Sequence, residues 1–403
     1  MLNKIQSSKK NADCSLSLSK LPIPFTNNKI CNEGWPPYLL TSRNECIINM
    51  RSLKGEIDYL SLIDSWLQYT SNLLREIHAN NFAKLIIQNY SYDLEIAIIN
   101  CAYFYQQHSL NILERAYISE QKDILWSTSG KYLKRGLGLL GYYLENYDIL
   151  ALSTTSFQLC TDLASQFKLV QQIGVLVLSL SKLRSNMYKE SKDAVLDIQS
   201  QDISTLATNS LLYGKIAIGC KDTALKCSSD NQVINATLID YLEALSYILI
   251  SLEEYRKDET GNSIGLLNLA INHLKKINPN LLLDNSILKT TKKRDKFKSI
   301  IQTKIPSKNT ILPKKNNGGG LLPVLKETLD DLILPLVILL KYRYQTTNNK
   351  LTFKEIENDS IKLQALLPRG ISPDLQGSKW SLDSGVFKEI TIDSEKRQKV
   401  DYF

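Results

Sequence analysis

Residues 92–108, YDLEIAIINCAYFYQQH, place Leu94, Ile98, Cys101, Tyr105 and His108 at alternating intervals of four and three. That spacing lines up one face of an α-helix and predicts an apolar stripe turned towards a core. The same rhythm recurs in Leu238, Tyr241, Leu245, Ile248, Leu252 and Tyr255, and again in Leu322, Leu325, Leu329, Leu332, Leu336 and Leu340. Pro323 stands where the last helix would start, and Pro335 is expected to kink it by removing one backbone donor. The fold class is therefore mainly α from about residue 53 onward.

Residues 1–40 read as irregular. Leu21-Pro-Ile-Pro-Phe25 and Trp35-Pro-Pro37 oppose helix, because each proline holds its predecessor in an extended conformation. Strand signals are confined to these first forty residues and to Gly385–Ile392, and no 34-residue repeat is evident. Within the helical region, KYLKRGLGLLGYYL (131–144) contains Gly136, Gly138 and Gly141. Each costs a helix about 1 kcal/mol relative to alanine, so their presence predicts close approach of neighbouring helices. A phosphate-cradling loop would need a preceding strand and a Gly-Lys-Ser/Thr ending, and neither is present.

Composition narrows the classes further. The 403 residues include only 17 glycines and 11 prolines, with 43% hydrophobic and 22% charged positions. A collagenous or wholly disordered chain is excluded, and a chain of this length can bury about three quarters of its unfolded surface. The longest uninterrupted apolar run, Leu332–Leu340, is too short to span a bilayer, which takes about 20 residues. The polar N-terminus lacks the apolar segment of a secretory signal. These features predict a soluble intracellular protein, in which the seven cysteines are reduced thiols.

The net charge of +8 is local. Residues 289–315 hold ten Lys/Arg against Asp295, leaving the remainder of the chain near neutrality. Two prolines within the segment, and Asn316-Asn-Gly-Gly-Gly320 after it, predict a disordered basic loop over 286–320. It is either a solvated insertion or a contact for an anionic membrane; nucleic acid is not expected as a partner. Disorder is also expected at 1–15, and a polar tail at 393–403, around a single domain spanning 16–392.

No catalytic constellation emerges. His78, His108 and His273 lie on separate segments without a His-Glu-x-x-His pattern, so no metal site is expected, and no cofactor. Cys101 and Cys220 sit in apolar runs and read as small core residues. Glu253-Glu254 and Asp330-Asp331 are adjacent on helices, so their side chains diverge and read as solvated faces. The remaining features describe a non-enzymatic binding scaffold.

Several segments resemble the BRO domain family, the ALIX-type endosomal adaptor module. Tyr92–Tyr105 is similar to the family helix in which a Glu precedes a leucine-any-asparagine run, and Leu133–Glu145 resembles the helix that follows. Leu242–Ile277 is similar to a later segment, with Gly261, Ile264 and Ala270 at matching positions; Thr260, Asn262 and Ser263 depart from its aromatic and acidic residues. The resemblance implies an elongated, curved array of tetratricopeptide-like helical hairpins with a small N-terminal β element. Val400-Asp-Tyr-Phe403 lacks the cysteine of a lipidation box, and by elimination the chain is similar to the PalC-type pH-response regulators of fungi.

That resemblance implies an adaptor of alkaline-pH signalling that binds the C-terminal helix of the ESCRT-III filament subunit. It also implies contact with a pH-signalling arrestin or protease complex, and recruitment from the cytoplasm to endosomal or plasma-membrane sites. Endosomal cargo sorting at multivesicular bodies is the alternative. Leu212-Tyr-Gly-Lys-Ile-Ala217 resembles the family's patch helix, so Leu212 and Ile216 are the implied partner contacts, with Met187 on the preceding helix as a third. Ser181-Lys-Leu-Arg184 departs from the family's run on that helix. Without the resemblance, Leu212 and Ile216 would equally be core residues one turn apart.

Overall fold

The structure is a computed structural model and describes residues 21–25, 35–51, 58–81, 84–119, 122–150, 153–188, 200–227, 232–278, 321–373 and 376–390. The tails 1–15 and 393–403 and the basic loop 286–320 lie outside the described residues. In order, the chain forms α1 (Pro37–Arg51), α2 (Tyr59–Ala79), α3 (Lys84–Ile118), α4 (Lys122–Glu145) and α5 (Thr154–Met187). There follow α6 (Ser200–Ala207), α7 (Ser210–Lys226), α8 (Gln232–Arg256) and α9 (Thr260–Ile277). The last helices are α10 (Pro323–Thr328), α11 (Leu334–Thr347) and α12 (Ser360–Ala365), and the chain closes with β1 (Lys379–Asp383) and β2 (Val386–Ile390).

The fold is mainly helical, as the periodicity predicts, but the small β element is C-terminal. Residues 21–25 are not strand, and an antiparallel hairpin pairs Asp383 with Val386 and Lys379 with Ile390. Its turn needs two residues with positive φ, and Ser384 (48°) and Gly385 (76°) supply them.

The chain divides into two compact units. One comprises Met1–Ser109, Lys131–Phe167 and Gln376–Phe403; the other comprises Leu110–Gly130 and Lys168–Leu375. In the first, the stripe of α3 is buried as expected, with Leu94, Ile98, Cys101 and Tyr105 beside Trp66, Leu73 and Ile77 of α2 in the core. Asp58 caps α2 by accepting from the N–H groups of Leu60 (3.1 Å) and Ser61 (3.2 Å). Charged and amide side chains fasten remote segments. Arg43 Nε and the Tyr69 hydroxyl both donate to Asp93 Oδ2 at 2.6 Å, and Asn100 holds both the N–H and the carbonyl of Ile23 at 2.8 Å. Phe25 stacks on Trp66 with ring centres 5.0 Å apart.

The glycines of α4 have divided roles. Gly136 admits the Phe167 ring and Tyr105, the expected close approach of helices. Gly138 instead faces an extended segment: a Cβ there would stand 2.1 Å from the Ser378 carbonyl oxygen, and Ser378 N–H donates to Lys134 O at 2.8 Å. Gly141 has open space, so its packing reason is absent.

The second unit is built on a continuous apolar core. Tyr241, Leu245, Ile248 and Leu252 of α8 are buried against α7 and α9, together with Leu325, Leu329, Leu332, Leu336 and Leu340. Pro335 falls in the first turn of α11, and a π turn at Leu329–Ile333 takes up the interruption. Beyond α12 the chain runs extended as a strap over α7. The Ile371 N–H donates to Lys215 O at 2.9 Å, and Gly219 permits the approach because any Cβ there would meet the Ile371 carbonyl at 2.1 Å.

Further sequence expectations need correction. The chain from Pro37 to Leu40 is not irregular but opens α1, because a proline at the first helical position loses no hydrogen bond. Glu253 and Glu254 are buried, paired with Arg256 (2.7 Å) and Lys257 (2.9 Å), because their helix packs where a solvated face was expected. Asp331 is likewise engaged: its carboxylate pairs with Arg184, and its backbone carbonyl accepts from the Tyr188 hydroxyl. Finally, α5 is long and apolar enough to cross a membrane by length and composition, with a mean hydropathy of 1.4 over its best window. Interspersed serines and glutamines hide this from a search for unbroken runs; 61% of that window is buried inside the structure.

Candidate functional site

The residues implied as partner contacts fall in the second unit, Leu212 and Ile216 on α7 and Met187 at the end of α5. The first turn of α7 carries Leu211 and Leu212, both exposed, directly before the buried Tyr213 and Gly214. Gly214 has no side chain, so α7 packs closely against α8: an added Cβ would lie 2.8 Å from Ile250 Cδ1. Ala217, Cys220 and Ala224 continue this small-residue face into the core. The leucine pair therefore lies off the face that α8 covers.

The three implied contacts are not equivalent. Leu212 is 49% exposed, whereas Ile216 is 8% and Met187 5% exposed, and the latter two belong to the apolar core of the unit. Of the three, Leu212 turns apolar surface to solvent, while Ile216 and Met187 are core side chains. Leu211 was missed by the sequence reading; its signal was two consecutive apolar residues at the start of a helix, which one core-facing stripe cannot both satisfy. The strap adds an exposed Ile371 beside Lys215, one turn further along the helix.

The conspicuous motif residues of the first unit serve structure. Glu95 is buried and accepts from the Ser153 N–H (2.6 Å), Ser156 Oγ (2.5 Å) and Ser153 Oγ (3.2 Å), tying α3 to the start of α5. Burial lifts its carboxyl above the ordinary value, and these hydrogen bonds pull the other way. The four buried cysteines among the described residues are free. Burial pushes the Cys46 thiol up to about 12 and also lifts Cys101, Cys160 and Cys220, the opposite of what an attacking thiolate needs.

Two further sites were not legible in sequence. On α8 and α9, His273 Nδ1 lies 2.8 Å from Asp240 and 3.7 Å from Glu243, near enough for all three to reach one cation. Each carboxylate already has a lysine, Lys276 at 3.2 Å from Asp240 and Lys221 at 3.5 Å from Glu243. The cluster is thus a charge-balanced ion-pair network. In the first unit, Tyr105, Tyr132, Trp380 and Phe387 line a cavity of about 390 Å³, with Arg135 held to Glu389 at 2.8 Å on its wall.

Comparison with known proteins gives three results. A family model described as "Family of unknown function (DUF5355)" matches residues 88–403. An uncharacterized protein of Saccharomyces cerevisiae, YGR122W, is 39% identical over 388 residues, covering 92% of this chain and 94% of its own length. Among solved structures, a Bro1 domain described as a basis for endosomal targeting is 13% identical, with a TM-score of 0.35 over 77% of this chain and 94% of that one.

Proposed function

The chain belongs to the DUF5355 family, whose description assigns no activity, and we propose that it is a non-enzymatic adaptor that receives an amphipathic partner helix on α7. The observation that carries this reading is the exposed Leu211-Leu212 pair on a helix whose opposite face is locked into the core. A rigid wall that presents aliphatic side chains to solvent suits the helix-in-groove mode of recognition. The BRO-like sequence segments supply the partner: the C-terminal helix of the ESCRT-III filament subunit. In this reading residues 16–392 act as one BRO-like domain in alkaline-pH signalling, joining an arrestin or protease complex to endosomal or plasma-membrane sites.

The test is a titration of the purified full chain with that helix. Saturable binding is expected, weakened at least about tenfold by Leu212→Asp, because a charge placed against an apolar partner must be desolvated without compensation. Leu212→Asp should fold normally, since the side chain is half exposed; Ile216→Asp should unfold the unit, since it is a core residue. Absence of binding by the wild type would overturn the reading. Cargo sorting at endosomes uses the same surface and is separated by phenotype: loss missorts membrane cargo and spares growth at alkaline pH. The net +9 of residues 289–315 favours a supporting contact with anionic membrane, which charge neutralisation of that run would remove while leaving helix binding intact.

A further inference from the structure

The turn after α11 has an unusual geometry. Phe353 adopts φ 49°, the left-handed region that bulky L-residues avoid. The buried Asn348 side chain holds it there: its Oδ1 accepts from Thr260 Oγ1 (2.8 Å), Thr352 Oγ1 (2.9 Å) and the Lys354 N–H (3.0 Å), and its Nδ2 donates to the Lys354 carbonyl (3.0 Å). The Phe353 N–H closes the turn onto Asn348 O at 2.8 Å. The backbone is thus over-determined, yet the ring it positions is 74% exposed. Leu351 is 75% and Ile361 76% exposed in the same stretch. Strain retained to aim an aromatic ring at solvent points to an occupant outside the fold.

Charge identifies that occupant. The stretch carries Lys350, Lys354 and Lys362 against Glu355, Glu357 and Asp359. Lys354 is paired with Glu259 (2.9 Å) and Lys362 with Glu357 (3.3 Å), and Asp359 caps α12. Lys350 and Glu355, on either side of the Leu351–Phe353 knob, make no ion pair among the described residues. An anionic membrane or a nucleic acid selects a rim of one basic sign. A two-fold copy of this surface, laid antiparallel, places Lys350 opposite Glu355 twice and encloses the apolar side chains between them. We propose that the Leu351–Phe353 knob is a self-association surface whose occupant is a second copy of this chain.

Sedimentation equilibrium of the full chain from micromolar to near-millimolar concentration tests this. The mass should rise towards twice that of the monomer, and Phe353→Ser should weaken association by about tenfold or more. Phe353→Gly relieves the left-handed strain, so it should abolish association while raising Tm. Lys350→Glu and Glu355→Lys should each weaken association, and the double reversal should restore it. A monomer at every concentration, or association indifferent to Phe353→Ser, overturns the proposal. So does a monomer that co-sediments with phosphatidylserine–phosphatidylcholine vesicles in a Phe353-dependent manner, which would assign the knob to lipid.

Discussion

The two units achieve burial by different means. The first buries an ion pair, with Arg43 joined to Asp93 and stacked over Phe25 at 4.4 Å, and it clamps Ile23 with a single amide. The second is held mainly by aliphatic area around α8, and its long-range core ties include hydroxyl pairs such as Tyr241–Thr328 at 2.6 Å. Directional bonds fix which segment sits where, so an isosteric change that removes one charge is severe. Apolar area is tolerant of shape-conserving change but leaves surplus leucines at its margin, and that margin is where the proposed partner surface lies.

The contrast can be broken at defined points. Asp93→Asn keeps shape but removes the carboxylate that faces the buried Arg43 guanidinium; chemical denaturation should show a loss of about 3–5 kcal/mol. Gly219→Ala pushes a methyl group into the Ile371 carbonyl, so a loss of about 1–3 kcal/mol is expected, partly offset by better helix propensity, with hydrogen exchange faster over 366–373. Leu245→Met, equally isosteric but in the aliphatic core, should lose less than about 1.5 kcal/mol. If Leu245→Met proved as costly as Asp93→Asn, the distinction between the units would fail.

The smallest effect concerns pH. The folded-state Glu95 carboxyl lies above its ordinary value of 4.5, so between those two values the folded chain holds a proton that the unfolded chain has lost. Stability from this group therefore falls as pH rises through that window. Urea midpoints from pH 4 to 7 should show the wild type losing stability relative to Glu95→Gln. An opposite slope would mean that the serine hydrogen bonds outweigh desolvation.

The helical stripes were legible because each is a local pattern: three- and four-residue spacing identified Leu94–Tyr105, Tyr241–Leu252 and Leu325–Leu340 as core without knowledge of their neighbours. Contacts between remote segments were not. Nothing near Gly138 reveals that Ser378 passes over it, and nothing near His273 reveals Asp240. Glu253 and Glu254 read as solvated because composition says nothing about which face a neighbouring helix covers. The candidate surface was half legible: spacing put Leu212 and Ile216 on one side of α7, but only packing separates the exposed leucine from the buried isoleucine.

Hydrogen exchange of the full chain, with and without the ESCRT-III filament subunit's C-terminal helix, tests the central claim most directly. The account predicts slowed exchange over 208–219, centred on Leu211 and Leu212, with the β1–β2 hairpin unchanged. Protection confined to the hairpin and its aromatic cavity, or unchanged exchange over α7 at saturating helix, would contradict it.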